Sequence, residues 1–564
     1  YGRRIVRAVR RDKLRGAAKR VRKLQCIKVG KARKLAVRKV ARMGLEASFS
    51  YGFGVTGCAP DELNKARSLV FTAVAPSVAG RSRTLTLMLT QFLDPMYRAT
   101  LLPVLMLLRA VWERWVPAFV VEYSMGRCDV SHWSQVKGPF AAVHLTLRRI
   151  GWCVLDSRTW RTHEGVDIMP FEVSPWVVKK LLIRSIEAWQ WEQVAKQPGL
   201  EHLAAGGVLE PLVRLTNGGA LSRHSAFGEQ FDVDARGRRV AARLSREEKG
   251  YLASVITGGQ WPQARKHECG MVDEDACLLC GERGTLLHRH CACPSWGPVV
   301  RCPDNVKAVW QRANDLPEAR VLLERVLWPA PQGIRPPPQS DAMTWHGTHD
   351  GVIPSGDVYL DGSAYESTHQ RYTSVGWAAV VLKNDCNVME MAVNGGMEGA
   401  LVDVNGGELT ALIKVLQLAV APITAVVDSK FVYDGLYVVG REGTTRHNYA
   451  WAHLWREVWR LIDDFGGLCE AGLTVRWVKA HCTEAMVARG VISRRDFVGN
   501  ALADEAARSA AGLNRISVAE RSQLLKASLM VEGVGQWVST VGAIVEGKDT
   551  VHHRGRARRP GGAG

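Results

Sequence analysis

Four carboxylates in the last third of this 564-residue chain have the residue types and settings of metal ligands. Two stand at the ends of strand-like runs, one near a helix start and one within a helical run. Acids gathered in such places repel one another and are costly to desolvate unless a cation compensates them. Carboxylate oxygens suit Mg²⁺ or Mn²⁺, and a histidine after another strand-like run can transfer protons. The acids are Asp361, Glu408, Asp428 and Asp504, and the histidine is His481.

The elements that must position these residues are predicted over residues 352–512. The first three strand-like runs have hairpin spacing, and the later ones are separated by helical patterns. We therefore expect an α/β domain with a mixed five-stranded sheet and helices on both faces. Glu408 shares a helical face with leucines that pack on the sheet, and Asp428 ends a buried strand. The strand-like runs are 357–360, 375–382, 388–393, 424–427 and 473–478.

This order of elements and acids resembles the type 1 ribonuclease H family. The matching motifs are Asp361-Gly362-Ser363 in the first strand, Asn405-Gly406-Gly407-Glu408 at a helix start, Asp428-Ser429 at a strand end, and Asn500-Ala501-Leu502-Ala503-Asp504 in the last helix. The resemblance implies an endonuclease that hydrolyses the RNA strand of RNA–DNA hybrids.

The resemblance also implies a role for each residue. The four carboxylates would hold two Mg²⁺ or Mn²⁺ ions for an in-line displacement, and His481 would assist proton transfer. Asn405 would contact the minor groove of a hybrid, where 2′-hydroxyls distinguish RNA from DNA. Gly362, Ser363 and Ser429 are the other expected substrate-binding residues.

A second constellation, within residues 261–305, has the spacing C-x2-C-x7-H-x4-C. Three thiolates and one imidazole can close a tetrahedral structural Zn²⁺ site, with no open position for catalysis. His290 and Cys291 leave the ligand register open, and free cysteines without metal are the alternative. The arrangement resembles the cysteine–histidine knuckle that follows the polymerase in non-LTR retrotransposon proteins. The predicted ligands are Cys277, Cys280, His288 and Cys293.

The region before this knuckle, residues 44–260, is expected to be mainly helical. Three short stretches in it look like the region just downstream of the polymerase palm in the same retrotransposon proteins. The resemblance therefore implies the C-terminal part of a polyprotein, with an upstream reverse transcriptase region as a partner. The remainder of 44–260 is expected to be a structural connector. The stretches are Tyr51 to Gly57, Leu63 to Arg67, and Leu93-Asp94-Pro95.

The net charge of +20 is concentrated at the N-terminus. Between Tyr1 and Arg42 there are eighteen Lys or Arg and one acid, Asp12. Apolar residues recur there at helical spacing, which predicts a basic amphipathic helix over 1–43 with a break at Gly30. Such charge favours nucleic acid through counterion release. A solvated or disordered arm is the alternative, and nuclear import is compatible with either.

Composition bounds the class of protein. The odd number of cysteines, thirteen, is unlike a secreted disulfide framework, so an intracellular, reducing location is expected. The apolar stretch from Leu101 to Trp112 is too short to span a bilayer, and no membrane partner is expected. A chain beginning with Tyr1 is expected to belong to a longer protein. Beyond the regions already named, we expect a Pro-rich linker at 328–345 and a C-terminal helix with a disordered basic tail at 513–564.

Three functions remain open from the sequence. The first is hydrolysis of RNA in RNA–DNA hybrids. The second is a non-catalytic nucleic-acid-binding module in which the ribonuclease H fold is a relic. The third is a related nuclease that acts on DNA, because it would share the same acids. The intact carboxylates favour the first function over the second.

Overall fold

The computed structural model describes most of the chain. The described residues are 2–26, 37, 39–75, 79–90, 92–220, 231–233, 239–241, 243–296, 301–334, 340, 342–366, 371–384 and 386–556. The centre of the expected Pro-rich linker, the expected break at Gly30 and the end of the expected basic tail lie outside them.

The strands, numbered along the chain, are β1 (Cys153–Val154), β2 (Trp160–Arg161), β3 (Asp167–Ile168), β4 (Phe231–Val233), β5 (Arg239–Ala241), β6 (Met343–Gly347), β7 (Gly356–Tyr365), β8 (Ser374–Leu382), β9 (Met389–Gly396), β10 (Ile423–Val427) and β11 (Leu473–Trp477). The helices are α1 (Gly2–Cys26), α2 (Glu46–Phe49), α3 (Phe53–Thr56), α4 (Pro60–Val74), α5 (Arg83–Met88), α6 (Pro95–Trp112), α7 (Ala118–Gly126), α8 (Pro139–Arg149), α9 (Pro175–Ala195), α10 (Glu210–Thr216), α11 (Arg246–Thr257), α12 (Gln263–Glu268), α13 (Asp304–Gln311), α14 (Pro317–Arg325), α15 (Val404–Leu418), α16 (Lys430–Asp434), α17 (Gly440–Thr444), α18 (Ala452–Asp464), α19 (Glu484–Ala488), α20 (Arg494–Leu513) and α21 (Val518–Arg556).

These elements form two compact units, and each unit is discontinuous in sequence. Unit 1 comprises Tyr1–Thr100, Ile186–Gln332 and Ala519–Gly564. Unit 2 comprises Leu101–Ser185 and Gly333–Val518.

The main sheet of unit 2 has six strands in the order β11-β10-β7-β8-β9-β6. Strand β10 runs parallel to β7 and β11, whereas β8 is antiparallel to β7 and β9, and β6 is antiparallel to β9. The sheet is therefore mixed, as expected, but the expectation of five strands was wrong. The additional strand is β6, at the edge of the sheet, whose first three residues fall within the segment assigned to the linker. Its residues are mostly exposed, so they lack the apolar alternation by which a strand is recognised.

Helices α15 and α20 approach this sheet closely because small residues line their contacts. A Cβ on Gly362 of β7 would collide with the backbone of Gly407 and Glu408 in α15. A Cβ on Gly376 of β8 would likewise collide with the backbone of α20. The side chains of α20 that face the sheet are alanines, among them Ala503 and Ala507, both fully buried. Both carboxylate-bearing helices are thus held against the strands that carry the other acids.

Residues 101–185 pack against the remainder of unit 2. The indole of Trp112, at the end of α6, donates to the carbonyl of Thr445 at 2.9 Å. The guanidinium of Arg456 in α18 lies 3.3 Å from the centre of the same ring. Glu113 bonds His447 at 2.7 Å. The domain that carries the sheet is therefore covered in part by a segment more than 300 residues earlier in the chain.

Unit 1 is mainly helical. The apolar face of α1, formed by Leu14, Ala17 and Val21, is buried, and α1 contacts α2 and α4. Helix α21 contributes Trp537 and its neighbours to the core of the unit. Among the described residues, Val518–Val545 of α21 is long and apolar enough to cross a membrane, and 67% of its most apolar window is buried inside the structure. A buried core helix passes the same test, so this segment is weak support for a membrane span.

Candidate metal and nucleic-acid sites

Three of the four predicted carboxylates meet where β10 ends, beside the middle of β7. Strands β7 and β10 are parallel neighbours, with Val427 opposite Leu360, so the next residues, Asp428 and Asp361, lie side by side. Glu408 reaches them from α15, because the bare backbone of Gly362 lets that helix approach the strand. One oxygen from each of Asp361, Glu408 and Asp428 lies within 4.8 Å of the others.

The electrostatics of this cluster are those of a cation site. Burial, followed by the charges of Asp428 and Asp504, raises the pKa of Asp361 to about 7. Burial and the charge of Asp361 raise the pKa of Glu408 well above its usual range. Its Oε2 atom is buried and has no hydrogen-bond partner among the described residues. A divalent cation would bond that oxygen and compensate the repulsion, so the three residues fit the metal that the sequence predicted.

The fourth predicted acid, Asp504, lines the same cavity but lies outside this cluster of three. Its carboxylate accepts a hydrogen bond from the guanidinium of Arg508 at 2.5 Å. Asn500, one turn earlier on α20, donates from Nδ2 to Asp428 Oδ2 at 3.2 Å. The sequence motifs did not predict a role for Arg508 or for the Asn500 amide. Their spacing of four residues from Asp504, which places all three on one helical face, was the available signal.

The cavity in front of the carboxylates has a volume of about 660 Å³ and is lined by His481 and Lys479. His481 has a positive φ of 50°, a conformation that is uncommon outside glycine and concentrated at functional loops. The indole of Trp477 donates to the backbone carbonyl of Asp428 at 2.9 Å, which ties the strand before this loop to the cluster. His481 is therefore placed where it can exchange a proton with a group in the cavity.

The predicted substrate-binding residues divide into two pairs. Gly362 and Ser363 line the cavity. Asn405 is half-buried in the first turn of α15, and Ser429 precedes α16. The structure does not include these last two among the residues that line the cavity.

The predicted zinc ligands also meet. One atom from each of Cys277, Cys280, His288 and Cys293 lies within 4.8 Å of the others. Cys280 Sγ and His288 Nε2 are 3.2 Å apart. Burial and the neighbouring thiols of Cys277 and Cys293 raise the pKa of Cys280 to about 11, which a bound dication would reverse because coordinated thiols ionise. Three sulfurs and one nitrogen are the ligand set of a structural zinc site.

The two residues that left the ligand register open, His290 and Cys291, have other surroundings. His290 is fully buried, and both of its ring nitrogens have partners: Nε2 lies 2.9 Å from the Tyr251 hydroxyl, and Nδ1 lies 2.7 Å from the Leu323 carbonyl. Cys291 is buried in the core of unit 1. His290 and Cys291 are thus core residues, outside the group of four.

The basic N-terminal segment is packed on one side and charged on the other. Arg10 is buried and donates to Glu62 at 2.7 Å. Arg11, Lys19, Arg22 and Lys23 of α1 are exposed. Helix α1 therefore presents a row of cations to solvent while its apolar face is held by the rest of unit 1.

A protein-family model matches the sheet domain. Residues 355–512 match the family model described as RNase H. Among solved structures, the chain is similar to a type 1 RNase H with the type 2 active-site motif, at 15% identity over 31% of this chain and 87% of that chain, with a TM-score of 0.21. It is also similar to the N-terminal RNase H domain of a Mycobacterium tuberculosis protein fused to maltose-binding protein, at 19% identity over 28% and 94% of the two chains, with a TM-score of 0.19. No curated protein matches the chain.

The family match and the gathered carboxylates concern the same stretch of sequence. The match spans both carboxylate-bearing helices and five of the six strands of the main sheet; only β6 precedes it. Residues 355–512 of this chain form an RNase H domain.

Proposed function

We propose that the RNase H domain hydrolyses the RNA strand of RNA–DNA hybrids and that it does so with two divalent cations. The observation that carries this proposal is the buried group of Asp361, Glu408 and Asp428, whose mutual repulsion the nearby Arg508 offsets only in part, so that the pKa values of Asp361 and Glu408 stay raised. A relic fold would be under no constraint to keep three ionisable groups buried together at this cost. Mg²⁺ or Mn²⁺ suits such oxygen ligands.

The chain's own residues would bind and orient the substrate around this site. Asp361, Glu408 and Asp428 would hold the cations, with Asp504 as the fourth ligand once it leaves Arg508. The cations would supply charge stabilisation for the attacking and leaving oxygens. His481 would accept or return a proton at the mouth of the cavity. Asn500 would fix the Asp428 carboxylate through its amide, and Lys479 would offer a positive charge to a phosphate.

The other two candidate sites support a role in nucleic-acid handling. We infer that Cys277, Cys280, His288 and Cys293 hold one structural Zn²⁺, and that the cations of α1 contact phosphates without sequence preference. A retroelement replication protein, with a reverse transcriptase region upstream in the same polyprotein, is the context proposed from the motifs. An alternative is a nuclease that acts on DNA with the same carboxylates.

The test is a cleavage assay on the full chain. The substrate is an RNA–DNA hybrid labelled on the RNA strand, with Mg²⁺, Mn²⁺ or no divalent cation. The parent protein is expected to cut the RNA only when a divalent cation is present, and to leave duplex DNA intact. The full chain is preferable to residues 352–512 alone, because Trp112 and Glu113 contact the domain from outside it.

The variant Asp361→Asn is expected to lose nearly all turnover and to keep its fold, because asparagine preserves the shape and removes one repelling charge. Asp464→Asn is the matched control: this acid is exposed at the end of α18 and pairs with Arg460. Cleavage by Asp361→Asn at the parent rate would refute the proposed site. Cleavage of duplex DNA at the same rate as the hybrid would favour the DNA nuclease instead.

A further inference from the structure

Three aromatic side chains, two in α7 and one in the turn before it, are exposed in unit 2, although apolar rings are normally covered. Trp115 is 61% exposed, Phe119 is 70% exposed and Tyr123 is 59% exposed. We call these three residues the aromatic stripe. The three rings lie within nine residues of one another along the chain, unlike the single exposed apolar residues scattered over most surfaces, and grouped exposed apolar residues mark interaction sites.

The exposure of two of these rings follows from the way α7 packs. Phe119 and Tyr123 are four residues apart and share one face of α7, while Val121 and Met125 on another face are buried. Helix α7 therefore has its own apolar face against the unit and a second one facing outward. Trp115 lies in the turn before the helix, where Arg114 has a positive φ of 58°.

Two arginine side chains lie beside the aromatic stripe. The guanidinium of Arg109 lies 4.9 Å from the centre of the Trp115 ring, and that of Arg127 lies 4.4 Å from the Tyr123 ring. No carboxylate pairs with Arg109 or Arg127 in the part of the chain that the structure describes. Aromatic rings flanked by such cations suit a partner that offers planar rings and negative charge together.

Two of the three acids between residues 101 and 155 are paired with other side chains. Glu113 bonds His447 at 2.7 Å, and Glu122 accepts from Arg158 at 3.1 Å. Asp129 is the third acid between residues 101 and 155, and the structure gives it no ion-pair partner among the residues it describes. The local field at the stripe is therefore set mainly by arginines, which favours a polyanion with exposed planar bases.

We propose that the aromatic stripe binds a single-stranded nucleic acid by stacking unpaired bases on Trp115, Phe119 and Tyr123, with Arg109 and Arg127 near the phosphates. Stacking on aromatic side chains is tolerant of base identity and is the usual mode by which single strands are held. This binding does not depend on hydrolysis by the RNase H domain.

The aromatic stripe belongs to the same unit as the carboxylate site. Trp112, three residues before Trp115, is anchored on Thr445 and Arg456. The segment that contains Thr445 continues from Asp428 through α16 and α17. A strand held on the stripe is therefore bound by the same unit that carries the carboxylate site.

The test is binding of fluorescently labelled oligo(dT) and oligo(U), each about 20 nucleotides long, to the full chain in EDTA. EDTA separates this measurement from cleavage, so a failure here is distinct from a failure of the proposed hydrolysis. Phe119→Ala is expected to weaken binding of both oligonucleotides by about fivefold or more, and the triple variant Trp115→Ala, Phe119→Ala, Tyr123→Ala by considerably more, since each stacked base contributes about five- to hundredfold.

The dependence on salt distinguishes stacking from phosphate contacts. The triple variant should lower the affinity without changing the slope of log affinity against log salt, because no cation is removed. Leu513→Ala is the matched control, since Leu513 is 77% exposed in the same unit and lies outside every proposed site. Asp129→Asn should tighten binding. Circular dichroism of each variant establishes that the fold is retained.

Photo-crosslinking of the parent protein tests the proposal without any substitution, so it can be done even if the triple variant is unstable. Oligonucleotides carrying 5-iodouracil should crosslink to Trp115, Phe119 or Tyr123 in the parent protein, as mapped by mass spectrometry. Unchanged affinity in the folded triple variant, or crosslinks confined to other residues, would overturn the proposal. So would a triple variant that binds normally but no longer self-associates in sedimentation, because the stripe would then be a contact between copies.

Discussion

Arg508 donates to the carboxylate of Asp504 at 2.5 Å, and Asp504 is the one predicted metal ligand outside the group of three. The ion pair and a cation at this site therefore compete for the same carboxylate. Arg508 is half-exposed, so its pairing with Asp504 is worth at most about 1 kcal/mol.

Arg508→Ala should accordingly raise the affinity for divalent cations. The Mn²⁺ dissociation constant of the substrate-free protein, measured by electron paramagnetic resonance, is expected to fall about two- to fivefold. Arg508→Lys is the matched control and should bind Mn²⁺ with an affinity close to that of the parent. Weaker Mn²⁺ binding by Arg508→Ala would show that the arginine helps to build the site instead.

The stability of the metal-free protein should depend on pH through Asp361. Its pKa is about 7 in the folded protein against a usual value of 3.8, so the folded state holds this proton more tightly than the unfolded state. The resulting stability is fully present below pH 4 and is lost as the pH rises towards 7. In EDTA, the free energy of unfolding of unit 2 should therefore be lower at pH 8 than at pH 5.5, by on the order of 1–2 kcal/mol.

Asp361→Asn is the control for this pH effect. Asparagine does not titrate, so the difference in unfolding temperature between the two pH values should shrink, although Glu408 still contributes in the same direction. Calorimetry in EDTA measures both proteins. An equal pH dependence in the parent and the variant would contradict the assigned pKa.

Much of this site was predictable from the sequence, because strand ends and helix starts are local features. Asp361 and Asp428 are gathered because Asp428 directly follows β10 and Asp361 occupies the adjacent position in the parallel strand β7, and the spacing of the zinc ligands is local as well. Two features were not predictable. Strand β6 is an exposed edge strand without apolar alternation, and the contact of Trp112 with Arg456 joins residues 344 positions apart. Such long-range contacts leave no periodic trace in a single sequence.

His481→Ala should slow cleavage less than Asp361→Asn does. A positioned proton-transfer group contributes about a hundredfold to ten-thousandfold, and water can replace part of it. Hybrid binding in Ca²⁺ should be unchanged in the variant. His346→Ala, at an exposed position of the edge strand β6, should leave the rate unaltered. A normal rate in His481→Ala would remove this residue from the mechanism.

The zinc knuckle should hold one metal ion independently of the carboxylates. Cys277→Ser removes one of four ligands and should lower bound zinc, measured by mass spectrometry of reduced protein, to a small fraction of one ion per chain. Cys269→Ser is the matched control, because Cys269 is exposed and lies outside the group of four. A parent protein that contains no zinc would contradict the assignment.

The exposed cations of α1 should set the salt dependence of duplex binding. Deleting the helix would uncover the apolar core that it packs against, so charge-neutralising substitutions are the cleaner experiment. Arg11→Gln, Lys19→Gln and Lys23→Gln together should reduce the slope of log affinity against log salt by about 0.9 for each phosphate that the helix no longer neutralises. The matched control replaces three exposed arginines elsewhere in unit 1, Arg246, Arg301 and Arg312, by glutamine. Equal slopes for the two triple variants would show that the charge of α1 acts only through the net charge of the protein, whereas a smaller slope for the α1 variant alone would place phosphates along this helix.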